Sequence, residues 1–442
     1  MKEFVHLHLH TEYSFLDSTI KLEPLFSQAK AYGMRACAVT DHGSLFGAPD
    51  FSAVAHDHGI KPIIGCEFFI AAESRFDKNA RAELDGYHVV LLAMNSAGYR
   101  NLIKLSTLAH LEGFFYVPRI DKAILEKHSK GLICLTGCLK GEIPARAVSG
   151  NKSQLKQAIE WYLSVFGKRL YFELQDHALP QQAAVNVELI AQSRHYNIPV
   201  VATNNCHYLH PEHEAALKVL HNVKGGKGLK KLGGDVPCAQ GRYFKSPAEM
   251  EAVFSGYPEA LTNTLAIAEM CNVSISQEGL HWYGVPGRDA IEGGRVTHIS
   301  TWTNRREQFN MAGIPGFRHF RTRTAVRETA KALGLPRANA ESVLSRVAPG
   351  SLDRALANDS GLQEMYRTDP VIRALVDSSM IVKDLPICPV VLPHLFVSSD
   401  KPLEQLIPMW RGPTGERVSQ YPLPASAIRA GESDGEPSGS NR

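Results

Sequence analysis

Short apolar runs alternate with longer amphipathic runs along the first 275 residues of the chain. The short runs are rich in β-branched residues and have the length of buried strands, at residues 4–9, 36–40, 62–70, 88–94, 132–136, 170–174 and 199–203. Runs of helical length and periodicity lie between most of them, at residues 21–32, 97–111, 154–166 and 180–195. The pattern therefore predicts about seven strands joined by crossover helices.

Strands and helices in this order fit either a doubly wound sheet or a closed barrel. Several polar side chains fall at or just past the C-terminal ends of the predicted strands, namely His8, His10, His42, Glu67, Cys138 and His207. A barrel gathers these ends around one mouth, whereas a doubly wound sheet spreads most of them along an edge. We therefore predict an α/β fold built on a distorted seven-stranded βα barrel.

The pattern changes after Pro286, where a turn-rich stretch leads into a segment rich in arginine. Short helices are predicted from there to about residue 366, followed by a strand-rich piece at 387–398. The last 20 residues are rich in Gly, Ser and Pro, which is typical of disorder. We predict a barrel domain at 1–286, an arginine-rich joint at 287–310, a small and mainly helical part at 311–422, and a disordered tail at 423–442.

The chain has 442 residues, of which 44% are hydrophobic and 21% charged, as in ordinary globular proteins. No apolar run is long enough to span a membrane and the first residues do not resemble an export signal, so we expect a soluble cytoplasmic protein without a membrane partner. The eight cysteines form no CxxC pair, which argues against a disulfide framework or a zinc ribbon.

A net charge of +3 is nearly neutral, so any surface for nucleic acid must be local. Six arginines lie among Trp302, Phe309, Phe317 and Phe320 in the arginine-rich segment: Arg295, Arg305, Arg306, Arg318, Arg321 and Arg323. Arginines neutralise phosphates and aromatic rings stack on bases, so this segment predicts weak, salt-dependent DNA binding. The alternative is a solvated linker whose aromatic side chains fill a core.

The candidate chemistry begins with the histidines of the first predicted strand. Strand alternation would place His6, His8 and His10 on one face and Val5, Leu7 and Leu9 on the other. Histidines on a polar strand face can also be ordinary hydrogen-bonded side chains. Further metal-compatible side chains follow at other strand ends, and this mixture of nitrogen, carboxylate and thiolate donors suits zinc, manganese or iron better than magnesium.

Six segments carry a resemblance to a known family: HLHLHTEYSFLDS, AVTDHGSLFGA, GIKPIIGCEFFIAAESRF, AHLEGFFYVPRID, VATNNCHYL and RYFKSPAEM. They resemble the PHP (polymerase and histidinol phosphatase) domain of the bacterial DNA polymerase III alpha subunit, over about residues 1–286. The resemblance implies a distorted seven-stranded barrel that holds up to three metal ions.

Carried over by position, the resemblance implies three metal sites. One metal would take His8, His10, Glu67 and residue 205; a second would share Glu67 and add His88 and Cys138; a third would take Asp17, His42 and His207. The resemblance implies Asp at position 205, where this chain has Asn205, a weaker ligand for a dication. His88 begins its predicted strand, so only the resemblance includes it.

Neighbouring residues have simpler interpretations. Asp41 either orients a metal ligand or caps a helix that follows it. His6 is interpreted as a filler in the lower barrel and Cys206 as a core residue. The segment 224–235 lacks the spacing of a phosphate-binding loop, so we interpret it as a flexible basic loop near the barrel mouth.

The second half resembles a later part of the same subunit, the fingers side, in FRHFRTRTAVRETAKALGLP and MYRTDPVIRALVDSSMIVKDLP. The palm that the family places between these regions is missing, because the joint is too short and no DxD pair occurs in the chain. Nucleotidyl transfer needs such carboxylates to hold two magnesium ions. We therefore expect an internally deleted relative that does not polymerise DNA.

Three functions remain open from the sequence. The first is a metal-dependent phosphoesterase, similar to a 3′-5′ exonuclease and related to DNA replication, with His8, His10, Glu67 and His207 in catalytic roles. The second is a catalytically weak or inactive PHP scaffold that binds DNA or replication proteins. The third is a metal-dependent amidohydrolase, which also uses an HxH pair on a barrel.

Overall fold

The computed structural model describes residues 3–79, 86–229, 240–275, 280–284, 289–292, 295–298, 311–347, 351–399 and 401–422. Its helices in the first part are α1 (Leu22–Ala31), α2 (Ala48–Asp57), α3 (Ser96–Leu111), α4 (Lys122–Lys127), α5 (Glu142–Ser149), α6 (Lys152–Phe166), α7 (Pro180–Tyr196), α8 (Glu214–Leu229), α9 (Pro247–Val253) and α10 (Pro258–Met270).

The strands of the first part form one curled sheet. They are β1 (Ala36–Val39), β2 (Lys61–Ile70), β3 (Tyr87–Ala93), β4 (Arg119–Ile120), β5 (Leu132–Leu135), β6 (Leu170–Leu174) and β7 (Val200–Ala202). Their order is β1-β2-β3-β5-β6-β7, with β4 paired to β2. The six predicted strands from residue 36 onward are confirmed with ends that differ by at most one residue, whereas β4 was not predicted.

Most neighbouring strands are parallel, as crossover helices require. The exception is β3, which runs antiparallel to β2 and to β5. As a result, the beginning of β3 lies at the same end of the sheet as the C-terminal ends of its neighbours. This reversal decides where His88 lies.

The curled sheet is closed by the opening segment, residues 4–10. On one side the carbonyls of His6 and Leu9 accept hydrogen bonds from the amides of Ala38 and Thr40 in and after β1. On the other side, the amide of His10 donates to the carbonyl of Cys206, and the amide of Cys206 donates to that of His8. Because the segment bonds to both edges of the sheet, the predicted distorted barrel is confirmed.

A bulge interrupts the opening segment. Ala38 and Thr40 are two residues apart, but the carbonyls that they reach, on His6 and Leu9, are three residues apart. One residue is therefore extra on the opening segment, which reverses the alternation of side chains beyond it. Val5 and Leu7 pack inside the barrel, whereas Leu9 joins the outer core beneath the helices.

Two apolar layers hold the barrel together. The inner layer fills the barrel with alternate residues of the strands, including Ile63, Val90, Leu92, Leu135 and Val201. The outer layer packs the opposite strand faces against the helices. The polar residues of the mouth thus lie on top of a filled core, as expected for a small barrel.

The second part combines helices with a second sheet. Its helices are α11 (Thr322–Ala332), α12 (Arg337–Leu344), α13 (Leu352–Asn358), α14 (Ser360–Thr368) and α15 (Pro370–Val382). Its strands are β8 (His281–Gly284), β9 (Asp289–Glu292), β10 (Arg295–His298), β11 (Met311–His319), β12 (Pro386–Ser398), β13 (Met409–Arg411) and β14 (Arg417–Ser419). The mainly helical prediction thus holds for 322–382, and β12 confirms the strand-rich piece at 387–398.

A five-stranded sheet in the order β13-β14-β11-β12-β8 lies beside these helices. It includes β8, from the segment predicted as barrel, so the boundary at 286 stays a prediction. The chain near β14 also packs on the barrel: the Gln420 side chain accepts a hydrogen bond of 2.8 Å from the amide of Leu45. No helix in the described ranges is long and apolar enough to cross a membrane.

Candidate metal centre

The barrel mouth collects polar residues from strands that run in both directions. Glu67 lies near the C-terminal end of β2, and Phe69, two residues further on, pairs with His88 of antiparallel β3. Cys138 follows the C-terminal end of β5. The antiparallel course of β3 therefore explains why a histidine at the start of a strand reaches the mouth.

The bulge in the opening segment separates the three histidines. His8 and His10 point into the mouth toward Glu67. His6 lies on the other side of the sheet, where its ring packs 4.5 Å from that of Phe244 and its Nε2 donates to the carbonyl of Lys245. The prediction that all three share one face was wrong, as was the place of His6 in the lower barrel, because strict alternation ignores the extra residue.

Three groups of metal-compatible atoms lie close together at the mouth, with all atoms of a group within 4.8 Å of one another. The groups share members, and they are His8, His10 and Glu67; Glu67, His88 and Cys138; and His10, His42 and His207. Each predicted metal site is thus represented by two or three of its predicted ligands.

The spacing within the groups fits tetrahedral coordination. His8 Nε2 and His10 Nε2 lie 3.4 and 3.3 Å from oxygens of Glu67. Ligands that each lie ~2.0–2.1 Å from a zinc ion in a tetrahedron are separated by about 3.3 Å. Cys138 Sγ lies 3.7 Å from His88 Nδ1, close to the separation of about 3.6 Å expected for a thiolate and an imidazole on one zinc ion.

Several inward atoms are buried without a hydrogen-bond partner. They include Nε2 of His8, Nε2 of His10, both ring nitrogens of His42 and Oε2 of Glu67. His42 Nδ1 comes within 2.8 Å of Glu67 Oε2, but without the orientation of a hydrogen bond. Buried polar atoms are normally satisfied, so converging unpaired donors of these types fit a divalent metal ion.

The Nδ1 atoms of His8 and His10 form hydrogen bonds with side chains outside the three groups. His8 Nδ1 donates to Glu173, 2.6 Å away, and His10 Nδ1 donates to the hydroxyl of Ser14, 3.0 Å away. That hydroxyl in turn donates to Asp41. Such outer partners fix the tautomer of a histidine and leave its other nitrogen free for a metal. Asp41 thus orients the predicted ligand His10 through Ser14, and the cap of α2 is Gly47 instead.

Glu173 was missed by the sequence analysis. Its carboxylate is buried and also accepts hydrogen bonds from the amide of Gly137 and the side chains of Gln175 and Thr203. The available signal was a glutamate in the middle of the otherwise apolar and aromatic run LYFEL. A charged residue in a buried strand needs a partner, and here the partner is His8.

The carboxylate and thiolate of the site are stabilised as anions. Burial would raise the pKa of Glu67, but His88 and His8 hold this pKa well below its usual range. Burial likewise opposes ionisation of Cys138, yet His88 lowers the pKa of the thiol. The anionic form, which is the form that binds a cation, is therefore favoured at both residues.

The histidines divide into two kinds. Burial would lower the pKa of His8, but the carboxylates of Glu173 and Glu67 raise it to about 10, so a metal ion that binds Nε2 would displace a proton from it. Burial and the neighbouring His42 lower the pKa of His10 to about 3, and burial together with His10 holds the pKa of His207 well below its usual range. His10 and His207 are thus neutral imidazoles, the form that binds metals.

Asp17 is not a member of any of the three groups in the described part of the chain. Its carboxylate lies 2.7 Å from His221 Nε2 and 2.7 Å from Lys224 Nζ, both on α8, and 3.3 Å from His42 Nε2. Burial would raise the pKa of Asp17, but Lys224 and His221 hold it well below its usual range. Asp17 therefore joins His42 to α8, and its role as a metal ligand stays a prediction.

Asn205 contacts His207 at the mouth. The amide lies 2.9 Å from His207 Nε2, while His207 Nδ1 donates to the backbone carbonyl of Asp17. Asn205 has a left-handed backbone with φ 43°, which asparagine tolerates better than most residues. Asn205 thus contacts a histidine of the third group, and its role as a ligand of the first metal stays a prediction.

Cys206 is buried, as predicted, and its Sγ lies 3.4 Å from His6 Nδ1. The predicted basic loop at 224–235 begins inside α8, which extends to Leu229, and residues 230–235 lie outside the described residues. The part up to Leu229 is therefore helical, contrary to the prediction of a loop. Lys224, in this helix, reaches the mouth through Asp17.

The predicted DNA-binding arginines are only partly described. Arg318, Arg321 and Arg323 are exposed at the end of β11 and the start of α11. Arg305 and Arg306 lie outside the described residues, as do Trp302, Phe309 and the predicted disordered tail at 423–442, and the side chain of Arg295 is also outside them. DNA binding by these arginines stays a prediction.

The aromatic side chains described in this segment do not lie open for bases. Phe320 is buried, and Phe317 packs against Tyr13 and Phe46 of the barrel. The expectation that these two rings stack on bases was wrong, because Phe317 packs against the barrel and Phe320 fills a core with residues of α8 and α15. Of the alternative interpretation, the part that is confirmed is that these two side chains fill a core.

Comparisons with known proteins find similarity in both parts of the chain. Residues 6–177 match the family model of the PHP domain, and residues 292–427 match that of the bacterial DNA polymerase III alpha NTPase domain. The chain is 40% identical over 304 residues to the DNA polymerase III subunit alpha of Treponema pallidum, a match that covers 67% of this chain and 26% of the relative. The corresponding protein of Thermus aquaticus is 40% identical over 302 residues, which cover 66% of this chain and 24% of the relative.

Structural similarity is weaker. A two-domain protein of Bacteroides vulgatus, described as containing a predicted PHP-like metal-dependent phosphoesterase, matches 65% of this chain and 73% of its own at 12% identity and a TM-score of 0.30. An amidohydrolase of Chromobacterium violaceum matches 46% of this chain and 87% of its own at 12% identity and a TM-score of 0.29. The assignment to a family therefore rests on the sequence matches.

The curated relatives are much longer, and the chain spans about a quarter of the length of those it matches. Both parts of the chain nevertheless match a family model of their own. Residues 6–177 therefore match the PHP domain, residues 292–427 match the bacterial DNA polymerase III alpha NTPase domain, and the chain is similar to part of the bacterial DNA polymerase III alpha subunits.

Proposed function

We propose that the barrel mouth is the active site of a divalent-metal-dependent phosphoesterase that acts on nucleic acid, similar to a 3′-5′ exonuclease. The observation that carries the proposal is the convergence of unpaired Nε2 atoms of His8 and His10 on the unpaired Oε2 of Glu67. His88 and Cys138 extend the same cluster through Glu67. Zinc, manganese and iron all suit this mixture of donors.

Bound metal ions would activate water and neutralise charge on the phosphoryl group. The residues of the chain supply the rest of the site. Glu173 and Ser14 hold His8 and His10 in the tautomers that turn Nε2 inward. Lys224, whose side chain is about half exposed (47%), lies at the open side of the mouth, where its ammonium group can attract a phosphate.

A hydrolysis assay tests the proposal. Wild-type protein with manganese is expected to hydrolyse bis(p-nitrophenyl) phosphate and to shorten an oligonucleotide from its 3′ end. His10→Ala should abolish both activities because it removes an inward ligand, whereas His195→Ala, at an exposed position of α7, should retain both. Hydrolysis that survives in His10→Ala or in the presence of EDTA would contradict the proposal.

A second candidate function is a weakly active or inactive scaffold that binds DNA or replication proteins. It is favoured by Asn205, a neutral amide where the resemblance implies a carboxylate, and by the carboxylate of Asp17, which is engaged by α8. A protein that binds metal but hydrolyses neither substrate, even at high enzyme concentration, would support this candidate over the first.

We propose DNA as the partner of the exposed arginines near β11. Replacing Arg318, Arg321 and Arg323 together with glutamine should weaken binding of a DNA duplex and make its affinity less dependent on salt. Equal affinity and an equal salt dependence in the variant would overturn this part of the proposal. The measurement does not depend on hydrolysis, since it is made in EDTA.

A further inference from the structure

Three exposed aromatic side chains lie on two neighbouring loops of the barrel. Phe76, Phe114 and Tyr116 are 59%, 53% and 63% exposed. In the described part of the chain, the other large apolar side chains with comparable exposure are all valines. Single exposed aliphatic residues are normal, but a group of exposed rings is not. We call these three side chains the aromatic rim.

The two loops of the aromatic rim are tied together. Lys78 Nζ donates hydrogen bonds of 3.0 and 2.7 Å to the carbonyls of Glu112 and Phe114. Arg75 forms a salt bridge of 2.7 Å with Glu112 and stacks over the ring of Phe76 at 4.2 Å. The rim is thus held on a connected support instead of on separate loops.

The support continues to the metal centre through His42. The ring of Phe114 lies 6.4 Å from that of His110, whose Nε2 donates to the carbonyl of Gly43, 3.1 Å away. Pro118, in the same loop, packs so closely on Gly43 that a Cβ there would lie 2.5 Å from Pro118 Cγ. Gly43 directly follows His42, so the loop lies beside this ligand.

His42 is also on the open side of the metal centre. Its side chain is 16% exposed and that of Asp17 is 20% exposed, whereas His8 and His10 are fully buried. A substrate can therefore approach past His42. Pro118, from the loop that carries Phe114 and Tyr116, packs on Gly43 next to it.

Tyr116 has a backbone conformation that favours glycine. Its φ is 61°, and the amide of Phe115 donates to the carbonyl of Val117 to close the tight turn around it. A large residue in this conformation is strained, and strain of this kind concentrates at functional sites. The ring of Tyr116 gains little burial in return, so its exposure points to a binding role.

The charges beside the aromatic rim are mixed. Arg75 is paired with Glu112 and Asp121, and Arg119 is buried. Lys78 is exposed and donates to the carbonyls of Glu112 and Phe114, and among the described residues it has no carboxylate at salt-bridge distance. Exposed rings next to an exposed lysine match the chemistry of single-stranded nucleic acid, whose bases stack on aromatic side chains and whose phosphates are anionic. A protein partner with an acidic, apolar segment would match less specifically.

We propose that the aromatic rim stacks against the terminal bases of single-stranded nucleic acid and so directs the terminal phosphodiester to the metal centre. The inference rests on the proposed function for its role in hydrolysis. The binding itself is independent of hydrolysis, which allows the two to be tested separately.

The first test is fluorescence anisotropy with a labelled ten-nucleotide oligothymidylate in EDTA, so that no cleavage occurs. The double variant Phe114→Leu with Tyr116→Leu keeps apolar side chains but removes both rings, and we expect at least tenfold weaker binding. The control Val187→Ala, at an exposed position of α7, should bind like wild type. Equal affinity in the double variant and wild type would overturn the proposal.

A second variant guards against effects of misfolding. Tyr116→Gly removes the ring but relieves the strain of a positive φ, so its melting temperature should equal or exceed that of wild type. Its affinity for the oligonucleotide should nevertheless fall by about tenfold. A stable Tyr116→Gly protein with unchanged affinity would also contradict the proposal.

Hydrolysis links the aromatic rim to the proposed function. In the double variant, the ratio of kcat/KM for the oligonucleotide to that for bis(p-nitrophenyl) phosphate should fall at least tenfold. If wild-type protein hydrolyses neither compound, the proposed function fails while the anisotropy result still decides the role of the rim. If the rim variants bind normally while hydrolysis is intact, only the rim proposal fails.

Discussion

His8 Nδ1 donates a hydrogen bond of 2.6 Å to Oε1 of Glu173 inside the barrel. Because Glu173 is itself held by Gly137, Gln175 and Thr203, its carboxylate has little freedom to move. The bond therefore fixes the ring of His8 with Nε2 toward Glu67. A residue outside the predicted ligand set thus sets the orientation of one of its members.

Replacing Glu173 with glutamine should weaken metal binding. The amide can still accept one hydrogen bond but carries no charge to support the imidazole, so we expect an affinity for zinc or manganese about 10 to 100 times lower. Equilibrium dialysis followed by metal analysis measures the effect. Glu142→Gln is a suitable control, because Glu142 is also a buried carboxylate but is paired with Lys122 instead of with a residue of the cluster. Equal affinities in Glu173→Gln and wild type would contradict the positioning role.

Asn205→Asp tests the one ligand position that departs from the resemblance. If the position belongs to a metal site, the added carboxylate should raise metal occupancy, and added manganese should raise the melting temperature more than in wild type. Without metal, the same buried charge should cost on the order of 1 to 3 kcal/mol unless nearby imidazoles become protonated. Adding His10→Ala to this variant should remove the gain in metal occupancy. An Asn205→Asp protein that binds no more metal than wild type would count against a metal site at position 205.

Folding stability should fall in acid because of His177. This buried residue is locked in its neutral form, since Nε2 donates to the carbonyl of Asn204 and Nδ1 accepts from Gln182. Burial and then Arg242 lower the pKa of His177 to about 3. The pKa of His177 in the folded state is below its value of about 6.5 in the unfolded chain. The stability that the neutral ring contributes is therefore fully present above about pH 6.5 and is lost as the pH falls.

The loss from His177 alone should reach on the order of 3 kcal/mol by about pH 4.5. Urea unfolding at a series of pH values measures it. His177→Leu should be less stable than wild type at pH 7, because it loses two hydrogen bonds, but its stability should change less between pH 6.5 and 4.5. An identical slope in both proteins would show that His177 does not control this loss.

The 442-residue chain is not expected to extend a primer. It contains no two aspartates separated by one residue, and two-metal nucleotidyl transfer depends on such carboxylates. A primer extension assay with a template, magnesium and all four nucleotides checks this expectation. Incorporation above that of a mock purification would contradict it.

Much of the barrel could be predicted from the sequence because its strands are short, apolar and separated by amphipathic helices. Most metal-compatible side chains could be found for the same reason, since they follow predicted strands, as Cys138 does. His88 did not fit this rule. Its position requires the antiparallel course of β3, which periodicity cannot reveal.

The remaining differences come from contacts between distant parts of the chain. The bulge that turns His6 away from His8 depends on hydrogen bonds to β1 and to Cys206. The sequence HLHLH itself alternates regularly and gives no sign of a bulge. Glu173 was missed because only the closed barrel brings it to His8. Phe317 was expected to meet bases, but it packs on Tyr13 of the barrel.

The most direct test of the metal centre is the number of metal ions bound per chain by wild-type protein and by Glu67→Gln. Glu67 lies within 3.4 Å of ring nitrogens of His8, His10, His42 and His88. After dialysis against zinc or manganese, wild-type protein is predicted to hold at least one ion per chain and Glu67→Gln substantially fewer, while Glu142→Gln matches wild type. A folded wild-type protein that retains no divalent metal would contradict the account.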